Sequence, residues 1–368
     1  MKYYLLAGEA SGDLHGAGLV AGLHRVDASA QVRCWGGEKM EAAGAQLVRH
    51  YRQMAFMGFL EVVKNLGAIR RNFKDAKADI LDFQPDVLIL IDYPGFNLRM
   101  AKWARRKGLR VFYYISPQIW AWNTGRVNII RQAVDRMFVI LPFEKEFYAS
   151  HDVEVDFVGH PLMDVIPNHS ATDDFRDKYN LDQRPVVALL PGSRRQEIRL
   201  MLPQMLEVAK SHPAYQFALA AAPSIPLSFY QELVADQAIP LIQGQTYDLL
   251  QQARLALVTS GTATLETALF GVPQIVCYRG HPLSYWLARQ LIKVSYISLV
   301  NLILDRPLVP ELIQGDFSQD KLQAAFASLM EGPERQRQLE GYAELSERLG
   351  KPGAGQRAAE QMWALLRS

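Results

Sequence analysis

Two short apolar runs, Asp86 to Ile91 and Val186 to Leu190, each stop at a glycine-bearing turn and give way to apolar residues at helical spacing. A five-residue run of Val, Leu and Ile between turn signals reads as a strand buried on both faces. The same alternation recurs along the chain. Strands are expected at Lys2 to Ala7, Val32 to Trp35, Leu47 to Tyr51, Leu109 to Ile115, Val134 to Leu141 and Val153 to Val158. After a Pro-, Asn- and Asp-bearing passage from about 161 to 184 it restarts, with further strands at Gln216 to Ala221, Pro240 to Gln243, Leu255 to Thr259 and Pro273 to Tyr278. Such spacing demands parallel sheets covered by helices on both faces. With 368 residues, the expectation is an α/β chain of two facing Rossmann-like, doubly wound domains with a cleft between them. The first spans 1–165 and the second 166–350. The tail is helical from Ser318 to Leu345. A last amphipathic helix lies within 355–368, and the sequence leaves open its docking on the first domain. Ligands in such folds bind at the carboxyl ends of the strands.

Composition narrows the class. A net charge of +2 gives no argument for nucleic acid. Cys34 and Cys277 match no metal or redox spacing, which fits a reducing cytosol. No stretch is long enough to span a bilayer as a helix. No His-Glu-x-x-His, paired-cysteine or Walker pattern occurs, so neither a protein-held metal nor a cofactor is expected.

Four loops at strand ends could carry chemistry. Pro191-Gly192-Ser193-Arg194-Arg195-Gln196-Glu197 joins a strand to a helix. Glycine admits close backbone approach, a helix start favours anions and arginine forks onto phosphate oxygens, so this turn suits a diphosphate. An ordinary surface turn with solvated arginines is the alternative. Ser260-Gly261-Thr262-Ala263-Thr264-Leu265-Glu266 opens another helix, where free N–H groups and hydroxyls suit phosphate oxygens. Glu266 could accept from ribose hydroxyls or close a capping box. In the first half, Asp92 ends the most hydrophobic strand. Partial desolvation there would raise its pKa and make it a usable base. A carboxylate satisfied by its own turn is the alternative. Glu9 and Asp13, in the turn Gly8 to Asp13 before a helix near Leu14, are rival bases, and His160 is a weaker one.

The segment 54–71 is unusual. Phe59, Val62, Val63, Leu66 and Ile69 share one helical face, Phe56, Met57 and Leu60 add apolar bulk, and Lys64, Arg70, Arg71 and Lys74 add positive charge. That pattern suits a helix lying in an anionic lipid interface. A core helix packed on the sheet is the alternative.

In this order the loops resemble lipid A disaccharide synthases. The resemblance covers nearly the whole chain and rests on Gly8 to Asp13, Met57 to Glu61, Ile91 to Asn97, Ser116 to Trp122, Leu141 to Glu144, Gly159 to Pro161, Leu190 to Arg194, Ser260 to Glu266 and Val300 to Leu302. It implies an inverting, metal-independent glycosyltransferase of the GT-B type. The family's donor is a UDP-diacylglucosamine, its acceptor a diacylglucosamine 1-phosphate, and its products a β-1′,6-linked disaccharide and UDP. The resemblance then puts UDP on the second domain, with Gly192, Ser193, Arg194, Glu197, Ser260, Gly261 and Thr262 at the diphosphate, Glu266 at the ribose and Asn301 on donor or phosphate. On the first domain, Glu9, Ser11, Gly12 and Asp13 would shape the acceptor side, with Asp92 as base. Gly95 stands where the family can carry an aspartate, which leaves Asp92 as the acid of its loop. The apolar segment would lean into the cytoplasmic leaflet of the inner membrane of a Gram-negative bacterium. A homodimer is compatible with this. A UDP-sugar 2-epimerase and a non-catalytic, membrane-associated nucleotide-binding protein are the readings from other classes.

Overall fold

A computed structural model describes residues 1–54, 66–170, 172–280 and 294–368. The expected interface residues Phe56, Met57, Phe59, Leu60, Val62 and Val63 lie outside that set, as does the side chain of Leu66. The chain forms two compact units, Met1–Asp164 with Leu349–Ser368, and Val165–Arg348.

In the first unit the described strands are β1 (Lys2–Ala7), β2 (Gln31–Gly36), β3 (Gln46–His50), β4 (Val87–Ile91), β5 (Val111–Tyr114), β6 (Arg136–Val139) and β7 (Val155–Phe157). They pair in parallel in the order β3-β2-β1-β4-β5-β6-β7. The order reverses between β1 and β4, where Leu5 faces Ile89 and Ala7 faces Ile91. β4 is buried along its full length, as its unbroken apolar run requires. The helices that bear on the site are α1 (Ala10–Val26), α2 (Glu38–Ala42), α3 (Leu66–Phe83) and α4 (Pro94–Arg106).

The second unit repeats the plan with β8 (Val186–Leu190), β9 (Gln216–Ala221), β10 (Leu241–Gln243), β11 (Ala253–Thr259), β12 (Gln274–Tyr278) and β13 (Glu311–Ile313). The order is β10-β9-β8-β11-β12-β13, all parallel, with its reversal between β8 and β11. Helices α5 (Arg195–Ser211) and α6 (Thr262–Leu269) follow the two strands at that reversal. α5 buries Ile198, Met201, Leu202, Met205 and Leu206. The tail is two helices, α7 (Gln319–Glu331) and α8 (Pro333–Leu349). The expected single helix breaks at Gly332, where a Cβ would stand 2.5 Å from the Ser328 carbonyl.

The last helix, α9 (Ala354–Arg367), belongs to the first unit. It lies against α1 at small residues. A Cβ on Gly22 would meet Ala359 Cβ at 2.9 Å, and one on Gly355 would meet the Gly18 backbone at 2.6 Å. Gly18 and Gly22 permit this close approach, while Gly12 and Gly16 face Ala7, Ile91 and Met40 instead.

Two starts differ from the expected ones. α1 begins at Ala10, so Ser11, Gly12 and Asp13 form its first turn. α4 begins at Pro94, whose fixed φ suits a first helical position.

Candidate active site

Both switch points carry the residues singled out in the sequence. At the first, the loops after β1 and β4 bring Glu9 and Asp92 together. Gly8 is required by close approach, since a Cβ there would fall 2.3 Å from the Tyr93 ring. Glu9 is the residue before α1, with extended backbone, and its side chain makes no capping bond. Asp92 and Tyr93 occupy left-handed backbone, with φ of 43° and 48°. Burial raises the Asp92 pKa to about 7, and the negative charge of Glu9 adds to the rise; the Tyr93 N–H opposes it weakly. Asp92 is therefore an acid poised to exchange a proton near neutrality.

Its expected neighbours divide. Ser11 is exposed at the helix start. Gly12 packs closely on Ala7, since a Cβ added to it would stand 3.1 Å from Ala7 Cβ. Asp13 corrects the reading of it as a rival base. It is buried, and its carboxylate accepts from the N–H groups of Gly37 at 2.8 Å, Met40 at 3.0 Å and Lys39 at 3.2 Å. Those are the free donors at the start of α2, so Asp13 caps a helix. His160 is likewise removed as a base. It is buried, its Nδ1 accepts from Leu162 N at 3.2 Å, and burial together with nearby His15 lowers its pKa to about 3. A ring so easily deprotonated cannot take up a proton near neutrality.

At the second switch point, β8 ends in Pro191 and Gly192, whose φ of +113° excludes most side chains. The space beside Gly192 is bounded by Glu197 Oε2 at 3.1 Å and Thr259 Cγ2 at 3.3 Å from where a Cβ would be. Ser193 is exposed, and Arg194 is the residue before α5. Arg194 Nη1 donates to Glu197 Oε1 at 2.8 Å, yet the arginine side chain stays 70 % exposed. Most of its donors face solvent. Arg195 differs, because its guanidinium stacks 5.0 Å from the Phe229 ring. Next along the edge, Gly261 has φ of +143° and leads into α6. The Ser260 hydroxyl donates to Ile297 O at 2.7 Å, which leaves its lone pairs and the Thr262 hydroxyl at the helix start. Glu266 makes no capping bond; it accepts from the Tyr247 hydroxyl at 3.0 Å, and burial raises its pKa.

Asn301, expected on donor or phosphate, is buried and bonded within the fold. Its Nδ2 donates to Val309 O and Glu311 Oε1, each at 2.9 Å, and its Oδ1 accepts from Leu308 N and Val309 N, each at 2.9 Å. Its amide is spent inside the fold, tying one helix to the strand β13. Glu311 completes the knot by accepting from Ile297 N and Ser298 N at 2.9 Å. Tyr247 and Glu311 were not legible in the sequence. Their partners lie 19 and 10 to 14 positions away, and no local pattern marks them. Among the described residues no cluster of His, Cys, Asp or Glu is placed to hold a metal ion.

Comparison with known proteins identifies the lineage. The family model described as lipid-A-disaccharide synthetase matches residues 3–362. The chain belongs to the lipid-A-disaccharide synthase family. It is 41 % identical over 366 residues to the lipid-A-disaccharide synthase of Geobacter sulfurreducens, covering 97 % of this chain and 95 % of the relative. It is 41 % identical over 372 residues to that of Syntrophus aciditrophicus, covering 99 % and 97 %. Among solved structures it resembles the UDP-GlcNAc 2-epimerase of Neisseria meningitidis bound to UDP-GlcNAc, with a TM-score of 0.67 at 14 % identity over the full length of both chains. It also resembles the calicheamicin glycosyltransferase CalG4, with a TM-score of 0.60 at 17 % identity over 99 % and 98 %. These likenesses show the fold, two parallel-sheet domains of the GT-B type. Family membership makes the lipid-A-disaccharide synthase fold here a glycosyltransferase; an epimerase shares the architecture without the sequence kinship.

Proposed function

We propose that this synthase transfers 2,3-diacylglucosamine from its UDP derivative to the 6-hydroxyl of 2,3-diacylglucosamine 1-phosphate, with Asp92 as general base. The observation that carries the reading is the placement of Asp92 at the end of β4, at the switch point of the first sheet, where burial and Glu9 raise its pKa. The acceptor hydroxyl gives its proton to Asp92 while its oxygen bonds to the anomeric carbon. The bond from that carbon to UDP breaks, and configuration inverts. Negative charge then collects on the departing diphosphate. Arg194, the Gly192–Ser193 backbone and the N–H groups and hydroxyls at Ser260–Thr262 supply positive and donor groups of the kind that stabilise it. Glu266, held by Tyr247, would accept from the ribose. Glu197 would orient Arg194.

The substrates carry acyl chains, which gives the apolar and basic segment 54–71 a purpose at a lipid surface. No helix among the described residues is long and apolar enough to cross a membrane. In this reading the protein works peripherally on the cytoplasmic leaflet. Exchange of Phe59 and Val62 for serine should then weaken binding to anionic liposomes, and unchanged binding would return the segment to the core. The decisive experiment incubates the purified chain with both acylated glucosamine substrates, weighs the lipid product and measures UDP. A β-linked disaccharide 1-phosphate formed with one UDP per turnover supports the proposal. UDP binding without product, or epimerised sugar nucleotide, rejects it.

A further inference from the structure

Asp92 and Tyr93 stand consecutively in left-handed backbone, though neither is glycine. Such a pair persists only where its surroundings hold it. Two side chains converge on the Asp92 carbonyl. The Tyr113 hydroxyl, from β5, donates to it at 2.5 Å, and Asn97 Nδ2, from the first turn of α4, donates at 2.8 Å. The same Asn97 nitrogen lies 3.0 Å from Ile91 O and 3.3 Å from Leu6 O. One amide thus gathers the ends of β1 and β4, the two strands that flank the switch point and carry Glu9 and Asp92. Asn97 Oδ1 has no hydrogen-bond partner among the described residues. Burying that amide is a cost to the fold, and the donors are what it gains. Asn97 is 1 % exposed and Tyr113 is fully buried, so neither reaches a substrate.

We propose that Asn97 and Tyr113 are positioning residues that clamp the Asp92 peptide in its left-handed turn and thereby aim the catalytic carboxylate. This rests on the reading of Asp92 as the base. The chemistry of the two side chains suits the task. A carboxylate at 97 would set a charge against three carbonyls, and serine is too short to span them. Phenylalanine at 113 keeps the ring and loses only the donor. The groups that face Asp92 are Glu9 from the loop after β1, Tyr113 from β5 and Tyr93 on its own turn, with Arg126 facing Tyr113. A carboxylate released from the clamp turns toward water and away from Glu9, and both changes favour its charged form.

The test compares Tyr113→Phe, Asn97→Ser and Asp92→Asn in the full chain with both acylated substrates. It reads kcat, KM for the UDP donor, the pH profile of kcat and the melting temperature. A misaimed base costs rate without touching donor binding, so each clamp variant should lose at least about 10-fold in kcat with donor KM within about twofold of the parent. The acid limb of kcat should move down by about half a pH unit or more. A purely structural role would lower the melting temperature and the active fraction and leave that limb in place. Should Asn97→Ser fail to fold, Tyr113→Phe decides alone. Folded Tyr113→Phe with parental kcat and an unmoved limb overturns the clamp. If Asp92→Asn is inactive while both clamp variants behave as the parent, only the clamp fails. If Asp92→Asn turns over normally, the base assignment fails and the clamp with it.

Discussion

The Tyr247 hydroxyl donates to one carboxylate oxygen of Glu266 at 3.0 Å, across two helices that follow different strands of the second sheet. Tyr247 also packs against Phe270 at 5.1 Å and His169 at 5.5 Å between ring centroids, so its hydroxyl is held in place. A carboxylate has room for several donors. With one oxygen engaged by Tyr247, Glu266 keeps the other as an acceptor for a further donor.

That arrangement separates two variants. If Glu266 accepts from the ribose as proposed, Glu266→Ala should weaken UDP binding by about 10-fold or more, in line with a charge-assisted hydrogen bond of ~1.5–3 kcal/mol. Tyr247→Phe only frees the carboxylate to move and should cost about 2- to 10-fold, the range of one neutral hydrogen bond. Titration calorimetry with UDP reads both. Equal and small losses would place the ribose elsewhere.

Arg194 presents most of its donors to solvent while Glu197 holds one of them. If the guanidinium meets the charge that grows on the departing diphosphate, Arg194→Ala should lower kcat by roughly 10²-fold or more. Arg194→Lys should recover only part of this, because an ammonium lacks the planar fork. Full turnover in a folded Arg194→Ala chain would remove the residue from that role.

Asp92 makes the stability of the fold depend on pH. Its pKa of about 7 in the folded chain exceeds the ordinary 3.8. The folded chain therefore keeps a proton that the unfolded chain has already lost between those values. The stability this confers is full below the lower value and is lost as pH rises through the higher one. Asp92→Asn cannot ionise. It should match the parent near pH 4 and exceed it near pH 8 by about 1–2 kcal/mol, a figure reduced for the part of Asp92 that stays in contact with water. Glu144, whose pKa burial also raises to about 7, contributes equally to both proteins and cancels. Denaturant unfolding at the two pH values checks the gap, and the same variant should lose at least about 10²-fold in kcat.

These residues show what a sequence discloses. β4 and β8 were legible because five consecutive apolar side chains leave a strand no solvent face, and the loops after them inherit their place at the carboxyl edge. Gly192 and Gly261 were legible because turn chemistry is local. Asp13 was misread because what it binds, the start of α2, lies 24 to 27 positions away. Asn301 shows the reverse: a motif match names a residue without saying which of its atoms the fold already uses. β13 escaped because three residues with a leading glutamate carry too little pattern.

The docking of α9 on α1 gives a prediction independent of catalysis. The two helices approach at Gly18, Gly22, Gly355 and Ala359, and a Cβ on Gly355 would lie 2.6 Å from the Gly18 carbonyl carbon. Backbone cannot yield as a flexible side chain can, so Gly355→Ala must push the helices apart. Overpacking of this kind costs about 1–3 kcal/mol. A helix that is less firmly seated opens more often, and proteolysis follows the open population. Gly355→Ala should therefore lower the unfolding midpoint and speed cleavage between the Gly350 turn and α9. Gly95→Ala serves as the control, since a Cβ there meets nothing within 4 Å. It should leave the cleavage rate unchanged and hold or slightly raise the midpoint, as Gly→Ala does at a compatible helical site. Parental midpoint and cleavage rate in Gly355→Ala would mean that α1 and α9 do not pack at these glycines.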